Sequence, residues 1–361
     1  MLTIRKQALT QYLSSLFGEE VEVLFVSELG KEREELKELK AFGYGIPVLV
    51  EFKVKEGERK VVLETIRPGG FGHDYRSDRA ATLLWEYDNF NRLPRHAKTI
   101  DVGAFADTDL LESVGKAREF FLLVDYVAGR EYRYDLEELR DGRKLSPLDE
   151  ERCRSLARYL ALIHRKKKDA PELYVRRIRE LIGHSECIMG LVDSYASDLP
   201  FLRKGELREI EQKCSDWRWR VRRKGERLCQ IHGDFHPWNI LFREETDFSL
   251  LDRSRGEYGE AADDVSALAI NYLFFSLQKS GRLSGAFERL WNLFFEVYLE
   301  ETGDRGLLEV IQPFFAWRGL VIASPIWYPQ LPDDVRRAIF NFIHGVLGAE
   351  VFDPEKVNAY L

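Results

Sequence analysis

The chain of 361 residues reads as an α+β protein in two lobes, a β-rich N-terminal lobe and a mainly helical C-terminal one. Three observations predict this. Runs of β-branched and apolar residues cluster in the first third. From Pro147 onward the apolar residues recur at helical spacing. Hydrophobic residues make up 45% of the chain, ample for about two cores. The boundaries that follow are an N-terminal lobe over 1–124, a connector over 125–130 and a helical lobe over 131–361.

Taken in order, MLTIRKQALTQYLSSLF predicts an amphipathic helix; it lacks the basic start and continuous apolar run of a signal peptide. VEVLFVSEL (21–29), IPVLVEFKV (46–54) and RKVVLETI (59–66) predict strands, with KEGER as the hairpin turn between the last two. A Gly-rich polar loop follows at 67–79, then a helix over 81–93 and two strands, TIDVGAF and EFFLLVDYV (119–127). Beyond the connector, PLDEERCRSLARYLALIHRKK predicts a helix started by Pro147 and Asp149. LYVRRIRELIGHSECIMGLVDSYA and GELREIEQKCSDWRWRVRR each predict one further helix. Two short strands, CQIHGD and NILF, then interrupt the helical pattern, DFSLLDRS follows, and the pattern resumes after 264.

Composition excludes several functions. The formal net charge of −7 argues against nucleic acid as an obligatory partner, because neutralising phosphates needs a basic surface. The basic runs HRKKKD (164–169) and WRWRVRRKGER (217–227) read as solvated helix faces. The four cysteines form no C-x-x-C pair or zinc spacing and suit a reducing, cytoplasmic compartment. FFAWRGLVIASPIW is broken by Arg318 and Pro325, too interrupted for a membrane span. The oligomeric state is not legible.

One stretch carries chemistry. LCQIHGDFHPWNILF (228–242) sets His232, Gly233, Asp234, His236 and Asn239 among apolar residues. HGDFHPWN resembles the H-G-D-x-x-x-x-N loop of the aminoglycoside phosphotransferase and choline kinase families, small-molecule relatives of the protein kinases. LLDRSRGEYGEAADDVSALA (250–269) is similar to the segment that follows in that family. Asp252 matches its first Asp, Gly259 its Gly and Asp264 its last Asp, while Glu260 and Ala261 stand for its Asp and Pro. FFLLVDYVAGRE resembles the family's hinge, and SLARYLALIHRKK its helix ending in L-A-x-L-H.

The resemblance implies a protein-kinase-like fold and transfer of the γ-phosphate of ATP (or GTP), with Mg²⁺, to a hydroxyl of a small molecule. Asp234 is the expected catalytic carboxylate, and Asn239 and Asp252 the expected metal ligands, since Mg²⁺ takes hard oxygens and nucleotide phosphates. His232 and Asp264 are expected supports of the loop, and backbone groups of Asp125, Tyr126 and Val127 are expected to read the adenine. The acceptor is an aminoglycoside-like or choline-, homoserine- or sugar-type molecule; a nucleotide-binding pseudokinase is the alternative outside catalysis.

The N-terminal lobe departs from the family pattern. Aligning VVLE with V-A-x-K places Glu64 where a phosphate-binding lysine belongs. Strand alternation puts Val61 and Leu63 on the core side and Val62 and Glu64 on the other, with Val62 as an apolar wall. Arg67, Arg76 and Arg79 are candidate replacement cations, and Glu86, on one helix face with Arg79, is the candidate helix glutamate. GGFGHDYR (69–76) and AFGYGIP (41–47) are candidate phosphate-covering loops.

Overall fold

A computed structural model describes residues 5–29, 45–68, 73, 76–106, 117–196 and 198–361. The candidate loops at 69–76 and 41–47 fall largely outside them. The chain divides into two compact units, Met1–Ala128 and Gly129–Leu361.

In the first unit, helix α1 (Lys6–Phe17) ends on Gly18, whose φ of 66° is the left-handed conformation that closes a helix. Strands β1 (Glu22–Glu28), β2 (Gly45–Val54), β3 (Gly57–Ile66), β4 (Thr99–Ala106) and β5 (Ala117–Asp125) form an antiparallel sheet in the order β1-β2-β3-β5-β4. The β2–β3 hairpin closes at Val54 opposite Gly57, leaving Lys55 and Glu56 as its turn. Helix α2 (Arg76–Phe90) starts and stops earlier than the apolar spacing predicts. The period of two along β3 sorts the core onto two faces. Val61 and Leu63 pack with Leu9, Leu13, Phe52 and Phe121, under α1. Val62 and Ile66 pack with Ala80, Leu83, Phe90 and Leu122, under α2.

The second unit is mainly helical. Strand β6 (Arg130–Glu131) leads into α3 (Tyr132–Arg140). Helix α4 (Pro147–His164) begins with a capping box: Ser146 Oγ accepts the Asp149 N–H, and the Asp149 carboxylate accepts the Ser146 N–H. The run read as a single helix from Leu173 is two, α5 (Pro171–Gly183) and α6 (Ile188–Ser194). His184 is extended between them, and its Nδ1 takes the Glu186 N–H at 3.2 Å, a local bond that competes with the helix. The fold-back also needs Gly190, where a Cβ would lie 1.9 Å from the Ser185 carbonyl oxygen.

Helix α7 (Glu206–Val221) carries the Trp–Arg run. Trp217 is buried and donates to Leu347 O, whereas Trp219 is 60% exposed beside Arg222, a solvated face as read. Short strands β7 (Cys229–Gln230), β8 (Ile240–Phe242), β9 (Phe248–Leu250) and β10 (Tyr258–Gly259) pair as β7 with β10 and as β6-β8-β9. Helices α8 (Ala261–Ser280), α9 (Gly285–Thr302), α10 (Gln312–Ala323) and α11 (Asp333–Gly348) complete the unit. Helix α8 is buried from Ala261 to Leu277 and forms its central strut. All four cysteines are free and buried. Among the described residues no helix is long and apolar enough to cross a membrane.

Candidate active site

The polar loop is held from below by one carboxylate. Asp264, in the first turn of α8 and fully buried, accepts the His232 N–H at 2.7 Å and the Gly233 N–H at 2.7 Å. His164, the last residue of α4, brings Nε2 within 3.1 Å of the same carboxylate and Nδ1 within 2.8 Å of the Tyr298 hydroxyl. Burial alone would raise the Asp264 carboxyl. The His164 contact and the His232 N–H outweigh it and hold the group below its ordinary value. Gly233 has φ 89°, and a Cβ there would sit 2.9 Å from Arg255 Cβ, so the loop requires glycine. Burial lowers the His232 imidazole to about 4. The ring is therefore neutral near pH 7, and its Nδ1 accepts the Asp234 N–H at 3.2 Å.

The turn after Asp234 brings Asn239 back to it. Pro237–Asn239 form a single 3₁₀ turn capped by His236, whose Nδ1 takes the Trp238 N–H. Asn239 Nδ2 donates to Asp234 O at 3.0 Å and lies 3.3 Å from Asp234 Oδ2. Ile240 pairs with Leu250 across β8 and β9, and Leu251 N donates to Asn239 O at 2.9 Å. That register sets Asn239, just before β8, beside the chain that leaves β9 into Asp252. Asp252 is exposed, with φ 54°, a left-handed backbone uncommon for a non-glycine residue.

Three charged residues of this site, Arg318, Asp263 and Arg255, are not singled out by the sequence motifs. Arg318, buried on α10, donates from Nη1 to Asp234 Oδ1 at 2.6 Å. Its Nη2 donates to Gly233 O at 3.1 Å and to Asp263 Oδ1 at 2.7 Å. Its charge was counted only as a break in an apolar run, yet such a position carries its own signal. An arginine inside FFAWRGLVIA sits on a helix apolar all round and must find buried carboxylates. Asp263 was passed over for its neighbour Asp264. Burial pushes the Asp263 carboxyl up to about 6, against the pull of Arg318.

Asp234 Oδ2 faces His236 Nε2 at 3.3 Å. Burial opposes its charge, but His236, Arg318 and Arg255 prevail and hold the carboxyl well below the usual carboxylate range. Arg255 itself reaches Glu186 at 3.3 Å, and both its guanidinium and that of Arg318 lie over the Trp317 ring, at 4.5 and 3.8 Å. Glu260, in the position of the family Asp, accepts from Arg227 Nη2 at 2.8 Å and from the Tyr174 hydroxyl at 2.7 Å.

The remaining sequence-predicted residues lie in the first unit. Glu64 is partly buried on β3, opposite Pro47 of β2 and Leu122 of β5, with its side chain on the Val62 face. Arg79 and Glu86 are both buried on α2. Arg79 Nε pairs with Glu119 at 2.9 Å and Nη1 donates to His73 O at 2.8 Å. Asp125 ends β5, its N–H donating to Lys98 O at 2.8 Å, and Tyr126 beyond it is 44% exposed, with Val127 following.

Two solved structures share the fold at low sequence identity. One is a thermostable mutant of aminoglycoside phosphotransferase APH(4)-Ia in ternary complex with ADP and hygromycin B, at 14% identity and TM-score 0.51, covering 95% of this chain and 99% of that one. The other is APH(2")-IIia in complex with GDP and kanamycin, at 11% identity and TM-score 0.50, covering 94% and 97%. No curated protein sequence matches the chain. The profile of the phosphotransferase enzyme family (APH) matches residues 51–299, which span β3 of the first unit and the whole loop from His232 to Asp264. The chain therefore belongs to the phosphotransferase enzyme family, with a protein-kinase-like fold, and is a small-molecule kinase acting on a hydroxyl acceptor.

Proposed function

We propose that the protein transfers the γ-phosphate of ATP (or GTP), with Mg²⁺, to a hydroxyl of a small metabolite, with Asp234 as the acceptor-facing carboxylate. The observation that supports this reading is the β8–β9 register, which sets Asn239, bonded to Asp234, beside the chain that leads into Asp252. Asn239 spends Nδ2 on Asp234, which leaves its Oδ1 for a cation, and the chain leaving β9 beside it leads into Asp252. Among the described residues no group of three or more His, Cys, Asp or Glu side chains is arranged to hold a metal ion. Two oxygens completed by nucleotide phosphates suit Mg²⁺, which rarely uses an all-protein cage. Mg²⁺ bound there would offset phosphate charge.

In the reaction, the acceptor oxygen bonds to the γ-phosphorus and its proton passes to Asp234 Oδ2. The bond from the γ-phosphorus to the bridging oxygen breaks, releasing the diphosphate. Asp234, held strongly ionised, orients the hydroxyl and receives the proton late, as suits a loose phosphoryl-transfer transition state. In the first unit, Val62 is proposed as an apolar wall for the base. With the Asp125 N–H engaged by Lys98, backbone groups of Tyr126 and Val127 are proposed to read the base edge.

The acidic stretch 257–264 gives little support to a polycationic acceptor. Glu257 lies 3.6 Å from Lys166, Glu260 is bound by Arg227, Asp263 by Arg318, and Asp264 by His164 and two backbone N–H groups. A metabolite hydroxyl is the acceptor class favoured over an aminoglycoside. Nucleotide consumption with Mg²⁺ across a panel of amino alcohols, sugars and aminoglycosides tests this; turnover confined to aminoglycosides would reverse the preference.

Three outcomes follow. Asp234→Asn is expected to lower turnover by about 10²–10⁴-fold, with nucleotide affinity nearly unchanged, because the carboxylate meets the acceptor and not the nucleotide; steady-state rates beside calorimetry check both. Asp252→Ala is expected to abolish the Mg²⁺ dependence of nucleotide binding, and Asn239→Ala to weaken it less, since Asp252 carries full charge. Titrations with and without Mg²⁺ decide this, and equal metal dependence in wild type and Asp252→Ala refutes it. Glu64→Lys is expected to tighten ATP binding about tenfold, about 1.4 kcal/mol, by exchanging a repulsive charge for an attractive one. Weaker binding would instead show that Glu64 supports a phosphate-binding cation such as Arg79.

A further inference from the structure

We propose that Arg318 is a positioning residue for phosphoryl transfer: it pins Oδ1 of Asp234 and so leaves Oδ2 to meet the acceptor hydroxyl. The proposal rests on reading Asp234 as the acceptor-facing carboxylate. Its basis is the geometry of the guanidinium fork. Nη1 takes Asp234 Oδ1 at 2.6 Å, and Nη2 spans Gly233 O at 3.1 Å and Asp263 Oδ1 at 2.7 Å. One planar group thereby fixes the backbone of the loop, the rotamer of its carboxylate and the first turn of α8. A lysine has three donors but all on one nitrogen, and does not reproduce this planar, two-nitrogen fork.

The fork is itself held. The residue is 6% exposed, its guanidinium carbon lies 3.8 Å from the centre of the Trp317 ring, and Nε is buried without a hydrogen-bond partner. Stacking and burial thus fix the plane, and both terminal nitrogens are committed to the loop and its neighbour. On the other side of the carboxylate, among the described residues Oδ2 has the longer contacts to His236 Nε2 and Asn239 Nδ2, each at 3.3 Å. The short bond is on Oδ1, so Oδ2 is the oxygen left with capacity for a hydroxyl proton. A stabilising role alone does not explain an arginine here. A buried ion pair is weak evidence for stability, and well-packed apolar residues of similar volume often serve a fold as well or better.

The test compares Arg318→Met, Arg318→Lys, the double variant Arg318→Met/Asp263→Asn and Asp234→Asn. The double variant removes Arg318 without leaving Asp263 as an unpaired buried charge, and so serves if the single methionine variant fails to fold. For each, kcat and KM are measured with the best acceptor from the panel, nucleotide affinity by calorimetry, and Tm. The expected result is a fall in kcat of about 10²-fold in Arg318→Met or in the double variant, the scale of a misplaced catalytic group, with nucleotide affinity unchanged. Arg318→Lys should regain part of that loss. Wild-type kcat in the folded methionine variants, beside an inactive Asp234→Asn, overturns the role of Arg318 alone. Loss of nucleotide affinity and Tm in step with kcat, with no recovery by lysine, overturns it in favour of a structural role. Wild-type turnover by Asp234→Asn removes the underlying reading of the site, and with it this one.

Discussion

The site depends on the carboxylate of Asp264. It is fully buried, and three groups converge on it: the N–H of His232, the N–H of Gly233 and the imidazole of His164. A charge at that depth is costly unless every lone pair is used, and the chain uses them to fix a loop that has little regular structure of its own. Gly233 turns at φ 89°, the next residue is Asp234, and the 3₁₀ turn returns Asn239 to it. Two helices meet at this point, α4 through His164 and α8 through Asp264, so the loop is anchored to rigid elements although it projects from them.

A second layer sits on the first. Arg318 reaches the loop from α10 and ties Asp234 to Asp263, the residue beside the anchoring Asp264. The neighbouring carboxylates respond differently, Asp264 fully buried, Asp263 buried and Asp234 partly buried. Asp264 and Asp234 are held ionised by their partners, whereas burial carries the Asp263 carboxyl up to about 6. The two lowered groups each have cationic or N–H partners strong enough to outweigh burial. The same principle accounts for His232, which stays neutral and so can accept the Asp234 N–H.

Much of this was legible in the sequence, for reasons that differ by residue. The strands of the first unit follow from alternation, and the two faces of β3 emerge as Val61 and Leu63 against Val62 and Ile66. The loop was legible because HGDFHPWN resembles the H-G-D-x-x-x-x-N loop of the family. Arg318 was not, because its partners lie far back in the chain and spacing says nothing of a contact between α10 and a loop before β8. The break at His184 is not marked by the apolar spacing, which continues across it; it is set by the local bond from the Glu186 N–H to the His184 ring and the close approach of Gly190 to Ser185. Glu64 lies on a strand whose register is set by β2 and β5 on either side.

The central claim, that Asp264 holds the loop in its working form, is most directly tested by amide hydrogen exchange in Asp264→Asn against wild type. An asparagine keeps the shape but carries no charge and offers one acceptor oxygen in place of two. The account predicts faster exchange across residues 230–236, with α10 from Gln312 to Ala323 unchanged. Exchange in 230–236 as slow as in wild type would contradict it.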